Sequence, residues 1–330
     1  MTARTLRRVV VTGGAGFIGA NLCGALRRSG AADELVVVDD LSSGRLDNLA
    51  GVADVDMVEG SILDDACMAR AVAGADGVVH LAARPSVARS LEDPAATHEV
   101  NATGTLRVLE AARHGGGVPV VVASSSSVYG ANATLPVGED TAPAPMSPYA
   151  ASKLATEAYA QAYARAFGLP VLVFRFFNVY GPWQRADHAY AAVVPAFVAA
   201  ALAGQPLPVH GDGHQTRDFT YVDSVTSVLV AALQRRWPDP GPVNLAFGGR
   251  HSLLELAGAL EAILGTRLPR RHGPSRPGDV PHSQADQTKL RALFPFLEPV
   301  GLEEGLRTTV AWFRAQDAAR ACHGSGVAST

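Results

Sequence analysis

The stretch VVVTGGAGFIGANLCGALRR (Val9–Arg28) decides the fold. Its β-branched opening, Val9–Val11, reads as a strand buried on both faces of a sheet. Gly13, Gly16 and Gly19 follow, and a helical pattern runs over Ile18–Arg28. Glycine here lets the chain turn tightly and lets backbone N–H groups approach a pyrophosphate. The helix N-terminus adds free donors and the positive end of its dipole. A glycine triplet alone is weak evidence, because turns are glycine-rich anyway. Asp39 strengthens it. This residue ends the next apolar run about 20 residues past Gly19, the spacing at which a carboxylate holds ribose hydroxyls. Asp39 and Asp40 repel a ribose phosphate, and no arginine follows at once to offset them, so NAD is favoured over NADP.

Outward from this unit the chain alternates short apolar runs with helical patterns. Strands are expected at Val9–Val11, Leu35–Val38, Gly77–His80, Pro119–Val122 and Val171–Phe174. Helices are expected at Ile18–Arg28, Ala66–Val72, Ala96–Arg113 and Tyr149–Phe167. Repeated βα units imply an α/β fold with a Rossmann-type doubly wound parallel sheet and right-handed crossovers. After Phe177 proline and glycine punctuate the chain. Helices at Val193–Ala203 and Val222–Leu233, a strand near Val209, a loop over Arg267–Val280 and a terminal helix at Gly301–Arg314 are expected there.

The length of 330 residues accommodates two domains. A net charge of −3 gives no basic field, so nucleic acid is not an expected partner and any phosphate must be held by local groups. Cys23, Cys67 and Cys322 show no ligand spacing, and no metal site is expected. The opening MTARTLRR lacks the apolar core of a signal peptide, and no apolar run is long enough to span a bilayer, so a soluble, cytoplasmic protein is expected.

One pair stands out beyond the glycine turn. The chain prefers arginine so strongly that its only lysines are Lys153 and Lys289, yet Lys153 follows Tyr149 by four residues in YAASK. Residues four apart share a helix face. A compact ammonium with an adjustable pKa can favour the phenolate, which arginine does less well. A tyrosine lowered toward neutrality is a competent base. The blander reading is an ordinary surface i, i+4 pair. Ser124–Ser127 follow the Pro119–Val122 run, and strand ends carry ligands in a parallel sheet; a serine run alone is more often a turn.

TGGAGFIG, HLAA (His80–Ala83), SSSSVYG (Ser124–Gly130), YAASK, RFFNVYGP (Arg175–Pro182), RDFTYVD (Arg217–Asp223) and RPGD (Arg276–Asp279) occur in this order. In these motifs the chain resembles the extended short-chain dehydrogenases/reductases, and among them looks most like the UDP-sugar 4-epimerases. The resemblance implies Ser125, Tyr149 and Lys153 as catalytic residues, with Ser125 chosen five residues before Gly130. For NAD it implies Gly13, Gly16, Phe17, Ile18, Gly19, Asp39, Ser61, Ile62, Leu81, Ala82, Ala83, Asn101 and Ser124, together with Tyr149 and Lys153. For the UDP-sugar it implies Ser86, Ser125, Ser126, Asn178, Arg185, Val193, Val209, His210, Arg217, Arg276, Asp279 and Ser283. Asn178, Arg217 and Arg276 would hold the diphosphate, and Asp279 the uridine ribose. Ser61 departs from the usual Asp at the adenine.

The resemblance also bears on the reaction. Relatives that dehydrate or decarboxylate carry an acid after the catalytic hydroxyl, as in TDEVYG, and here Ser126 and Ser127 stand there. A small Ser283 leaves room for a larger sugar substituent. Arg185 looks like the arginine of uronate epimerases, whereas Tyr190 looks like the N-acetylhexosamine subgroup. A homodimer is expected, paired through Ala96–Arg113 and Tyr149–Phe167. The expected division is an NAD-binding domain (1–177 and 213–247), a smaller C-terminal α/β substrate domain (178–212 and 248–316) and a flexible tail (317–330).

Overall fold

The computed structural model describes residues 6–131, 134–187, 191–235, 237, 241–275 and 280–324. The strands are β1 (Leu6–Thr12), β2 (Ala32–Asp39), β3 (Val55–Glu59), β4 (Gly77–His80), β5 (Val120–Ser125), β6 (Val171–Phe176), β7 (Asn178–Tyr180), β8 (Leu207–His210), β9 (Thr216–Arg217), β10 (Phe219–Tyr221), β11 (Val243–Leu245), β12 (His251–Ser252) and β13 (Arg270–Gly273). The helices are α1 (Phe17–Arg28), α2 (Asp65–Val72), α3 (Val87–Glu92), α4 (Pro94–His98), α5 (Gly104–His114), α6 (Pro148–Phe167), α7 (Val193–Leu202), α8 (Val222–Leu233), α9 (Leu253–Leu264), α10 (Thr288–Leu293) and α11 (Leu302–Gly324).

Seven strands form one parallel sheet in the order β11-β6-β5-β4-β1-β2-β3. The valine runs explain it. On β1, Val9 and Val11 enter the core on one face and Val10 the core on the other; on β2, Leu35 and Val37 oppose Val36 and Val38 in the same way. Strands buried on both faces need apolar side chains at every position. The winding reverses between β1 and β4, which opens a crevice at the carboxyl ends of these strands. A third core gathers Tyr180, Phe197, Leu207, Val209, Leu256, Leu260, Leu306 and Val310 from α7, β8, α9 and α11.

Several elements differ from the sequence expectation. The edge strand β3 and the short β11 were not anticipated. In β3 the side chains are only half-buried or exposed, so its apolar signal is weak. The helix expected over Ala96–Arg113 is interrupted: α4 gives way to a π turn at Glu99–Thr103 before α5. Gly104 then approaches α2's side of the sheet so closely that a Cβ would lie 2.4 Å from Ile62 Cδ1. The loop expected over Arg267–Val280 contains β13, which pairs in parallel with β8 through its backbone while its arginines stay exposed. The terminal helix runs to Gly324, ten residues past Arg314. The alanine-rich composition read as a fraying tail is also strongly helix-forming.

Candidate active site

The glycine turn is built by close approach. Gly13 has φ +70°, and a Cβ there would lie 2.7 Å from the backbone N of Ala82. A Cβ on Gly19 would lie 2.2 Å from the Gly13 carbonyl oxygen. Only glycine lets α1 start hard against the β1 and β4 ends. Among the described residues, no side chain caps α1 and no acid sits in its first turn, which leaves its amides and dipole facing the crevice. Asp39 closes the other side. Its carboxylate accepts from Ala15 N at 3.0 Å and Leu41 N at 2.9 Å, and burial raises its pKa while these bonds pull it back.

A cavity of about 430 Å³ occupies this crevice. It is lined by Gly13, Gly16, Phe17, Ile18, Gly19, Asp39, Ser61, Ile62, Leu81, Ala82, Ala83, Ser124, Ser125, Tyr149, Lys153 and Asn178. The sequence reading missed Ser42, Ser43, Phe176, Phe177 and Gln184 on its wall, where Asp40 also stands. Ser42 and Ser43 directly follow Asp39–Leu41, where a second-strand loop reaches back over the crevice; that position was the available signal.

The end of β5 and the start of α6 supply the reactive groups. Helix α6 begins cleanly because the Ser147 side chain accepts from Ala150 N and Pro148 presets the first turn. Tyr149 therefore sits in the first turn. Its phenol and the Ser125 hydroxyl both line the cavity, and Ser127 N donates to Ser125 Oγ at 3.2 Å. Lys153 is 5% exposed and donates from Nζ to the Ala123 carbonyl at 2.9 Å. Burial lowers its ammonium to about 8, against the opposing charge of Glu157. The phenol moves the other way from the sequence expectation. Burial raises it above its ordinary value, and the neighbouring Ser125 hydroxyl offsets only part of that.

Several expected residues stand behind the cavity instead of on its wall. Asn101 accepts from Arg84 N at 2.7 Å and donates to Ser152 Oγ at 3.0 Å, so it braces the β4–α3 loop against α6. Ser86 caps α3 by accepting from Arg89 N and holds φ +93° beside Pro85, which does line the cavity. Ser126 begins the 3-10 turn after β5.

A second cavity of about 200 Å³ adjoins the first and shares Asn178, Val179 and Gln184 with it. Val193, His210 and Arg217 line it, with Pro208, Gln215 and Phe219 unanticipated. The Arg217 guanidinium donates to the Thr216 carbonyl at 2.9 Å and to the Pro281 carbonyl at 3.2 Å. Val209 is not on this wall: β8 alternates, so Leu207 and Val209 enter the third core while Pro208 and His210 face the cavity. Arg185 pairs with Asp187 at 2.8 Å with its side chain 40% exposed, off the lining. Ser283 donates its backbone N–H to the Thr216 carbonyl and is also off the lining. Arg276, Asp279 and Tyr190 lie outside the described residues.

Residues 9–246 match the NAD dependent epimerase/dehydratase family. The chain belongs to that family, whose cofactor is NAD. It is 38% identical over 318 residues to a UDP-glucose 4-epimerase of Mycolicibacterium smegmatis, covering 93% of this chain and 98% of that one. It is 37% identical over 322 residues to a dTDP-glucose 4,6-dehydratase of Streptomyces niveus, covering 93% of each. Its structure superposes with TM-score 0.89 and 33% identity on a UDP-N-acetylglucosamine 4-epimerase of Methanobrevibacter ruminantium in complex with UDP-N-acetylmuramic acid, covering 95% of this chain and all of that one. The family thus holds both epimerases and dehydratases. No helix among the described residues is long and apolar enough to cross a membrane. The glycine cradle, the open α1 N-terminus and the oriented Asp39 fit a dinucleotide.

Proposed function

We propose that this enzyme epimerises C4 of a UDP-hexose through a transient 4-keto sugar. The observation that carries this reading is the placement of Tyr149 and Ser125 together on the wall of a cavity that runs into a second one through Asn178. One cavity takes the dinucleotide along Gly13, Gly16 and Gly19 to Asp39. The other takes the UDP moiety, with Arg217 and Asn178 at the diphosphate, so the sugar lies at the junction. NAD, which Gly13, Gly16, Gly19 and Asp39 would hold, would supply hydride acceptance and donation at this cavity. Tyr149 takes the proton of the 4-hydroxyl and later gives it back, with Ser125 bridging the oxygens. Lys153 supplies positive charge behind the phenol. Arg217 keeps the UDP anchored while the sugar turns about its phosphate link, so the opposite face of C4 is presented. In this scheme residues 1–177 and 213–247 carry the dinucleotide, and 178–212 and 248–316 the UDP-sugar.

Elimination of water is the competing reading, favoured by the likeness to a 4,6-dehydratase. Against it, Ser126 and Ser127 offer no carboxyl beside Ser125 to serve as general acid–base. The test is to denature purified protein, measure released NAD, and follow a panel of UDP-hexoses without added cofactor. Epimerisation converts one UDP-hexose to another of equal mass with no net NADH. Loss of 18 Da, or steady NADH accumulation, overturns it.

A further inference from the structure

Beneath the reactive pair lies a buried charge cluster that the proposed reaction does not itself use. Glu157 is 1% exposed and Arg175 3%. Arg175 Nε donates to Glu157 Oε1 at 2.9 Å and Nη2 to Oε2 at 2.8 Å. A bidentate fork fixes the carboxylate rigidly. Glu157 Oε1 also accepts from Ser124 Oγ at 2.6 Å. Arg175 is itself locked, stacked 4.6 Å from the Tyr129 ring centroid, whose hydroxyl donates to Asn244 Oδ1 at 2.6 Å.

The position of this cluster matters. Glu157 stands one helical turn beyond Lys153 on α6, as Lys153 does beyond Tyr149. Its partner Ser124 precedes Ser125, and the Lys153 partner Ala123 precedes Ser124. Two bonds from one helix face therefore grip two consecutive residues of β5, Ala123 and Ser124, directly before Ser125, whose hydroxyl lines the cavity with the phenol. A buried ion pair costs desolvation and by itself is weak evidence for stability. A neutral pair of similar shape would pack here as well. What only a charge does is offset the Lys153 ammonium.

We propose that Glu157 is a positioning residue for the reaction: held by Arg175, it supplies the counter-charge of the Lys153 ammonium and clamps the end of β5 so that Ser125 faces Tyr149. This rests on the reading of Tyr149 and Lys153 as the reacting pair. The groups facing Lys153 are Tyr149 and Glu157 on its own helix, His80 from β4 and Arg175 from β6 behind Glu157. His80 is held neutral, far below its usual range, by burial and by Lys153, and its ring lies between Thr12 Oγ1 and Thr105 Oγ1. From the packed helices, Glu92, His98, Arg107 and His114 are exposed, Arg89 is half-buried, and Glu110 pairs with Arg113 beside Tyr163 at the far end of α6.

The chain's two lysines make a direct test possible. Holoenzyme labelled with 13Cε-lysine gives two side-chain resonances, assigned with Lys289→Arg. In wild type the Lys153 resonance titrates near 8. In Glu157→Gln it moves down by about one unit or more, the effect of removing a nearby opposite charge. The alkaline limb of kcat follows it down, while KM for the UDP-sugar stays within about threefold and NAD remains bound. Ser124→Ala keeps the lysine titration and lowers kcat alone. Should the unpaired Arg175 prevent Glu157→Gln from folding, Glu157→Gln/Arg175→Met removes both charges and shows a smaller shift in the same direction. A merely structural Glu157 leaves the lysine midpoint where it was, and that result in the folded variant overturns the proposal. The titration needs no turnover, so inactivity of wild type toward UDP-hexoses would refute the epimerase reading and leave this test standing.

Discussion

The same substitution at two glycines of one helix should move stability in opposite directions. At Gly19 an added Cβ would meet Gly13 O at 2.2 Å and Gly14 Cα at 2.6 Å, both backbone atoms. That is roughly 1 Å inside contact. At Gly24 the added Cβ meets only the tip of the Arg28 guanidinium, 3.0 Å away, which can swing aside into solvent. Alanine in place of glycine in a helix gains about 1 kcal/mol at either site. Overpacking against rigid backbone costs about 3 kcal/mol, so Gly19→Ala loses about 2 kcal/mol net while Gly24→Ala keeps its gain. For 330 residues the unfolding entropy is about 0.7 kcal/mol/K. Thermal unfolding should therefore fall by about 3 °C in Gly19→Ala and rise by about 1 °C in Gly24→Ala. The relief available at Gly19 is withdrawal of α1 from the turn, which moves its amides off the crevice. Gly19→Ala should thus bind NAD at least about tenfold more weakly by calorimetry, and Gly24→Ala as wild type does. Equal Tm and equal NAD affinity in the two variants would refute the close-approach account of the glycine turn.

Other outcomes follow from the site. Tyr149→Phe lowers turnover by about 10²–10⁴ while UDP affinity, measured by titration calorimetry, stays within about threefold; parallel loss of both would make the residue structural. Arg217→Ala removes charge-assisted hydrogen bonds and weakens UDP-sugar binding by about 10–100-fold, with NAD content of the purified protein unchanged. Asp218 is buried, its carboxylate accepts from Gly248 N and Ala285 N, and burial pushes it up to about 6. An acid whose pKa is higher folded than unfolded binds its proton more tightly when folded. Its contribution is full below pH about 4 and is lost as pH rises through 6, about 3 kcal/mol in all. Denaturant unfolding at pH 4.5 and 7.5 should show about 2 kcal/mol of that loss in wild type and a flatter dependence in Asp218→Asn.

What was legible in the sequence depended on how local the cause was. The valine runs announced the parallel sheet because burial on both faces constrains every residue of a strand. Gly13 and Gly19 announced the turn because each answers a contact that only a missing side chain allows. By contrast, β13 exists because β8 offers its backbone edge, and its exposed arginines carry no trace of that pairing. The π turn at Glu99–Thr103 is equally silent, since Asn101 makes its bonds to Arg84 and Ser152, distant in the chain.

The site divides the same way. The Tyr149–Lys153 spacing located the reactive helix face, where burial opposes the lowered phenol expected from the ammonium. Burial is the dominant effect on the phenol, while Lys153 Nζ is engaged with the Ala123 carbonyl. The reading also stopped one turn short. A carboxylate at Glu157, four residues past an isolated lysine on an alanine-rich helix, carried the same spacing argument as Lys153 itself. Its partner Arg175 lay in a separate strand, so only the fold could show that the pair was buried and neutralised. Phenol, ammonium and carboxylate thus follow one another in a column down one face of α6, with Arg175 locked against the last of them. The strand end that carries Ser125 is held against the same column, so geometry and charge at the reacting oxygens have one origin.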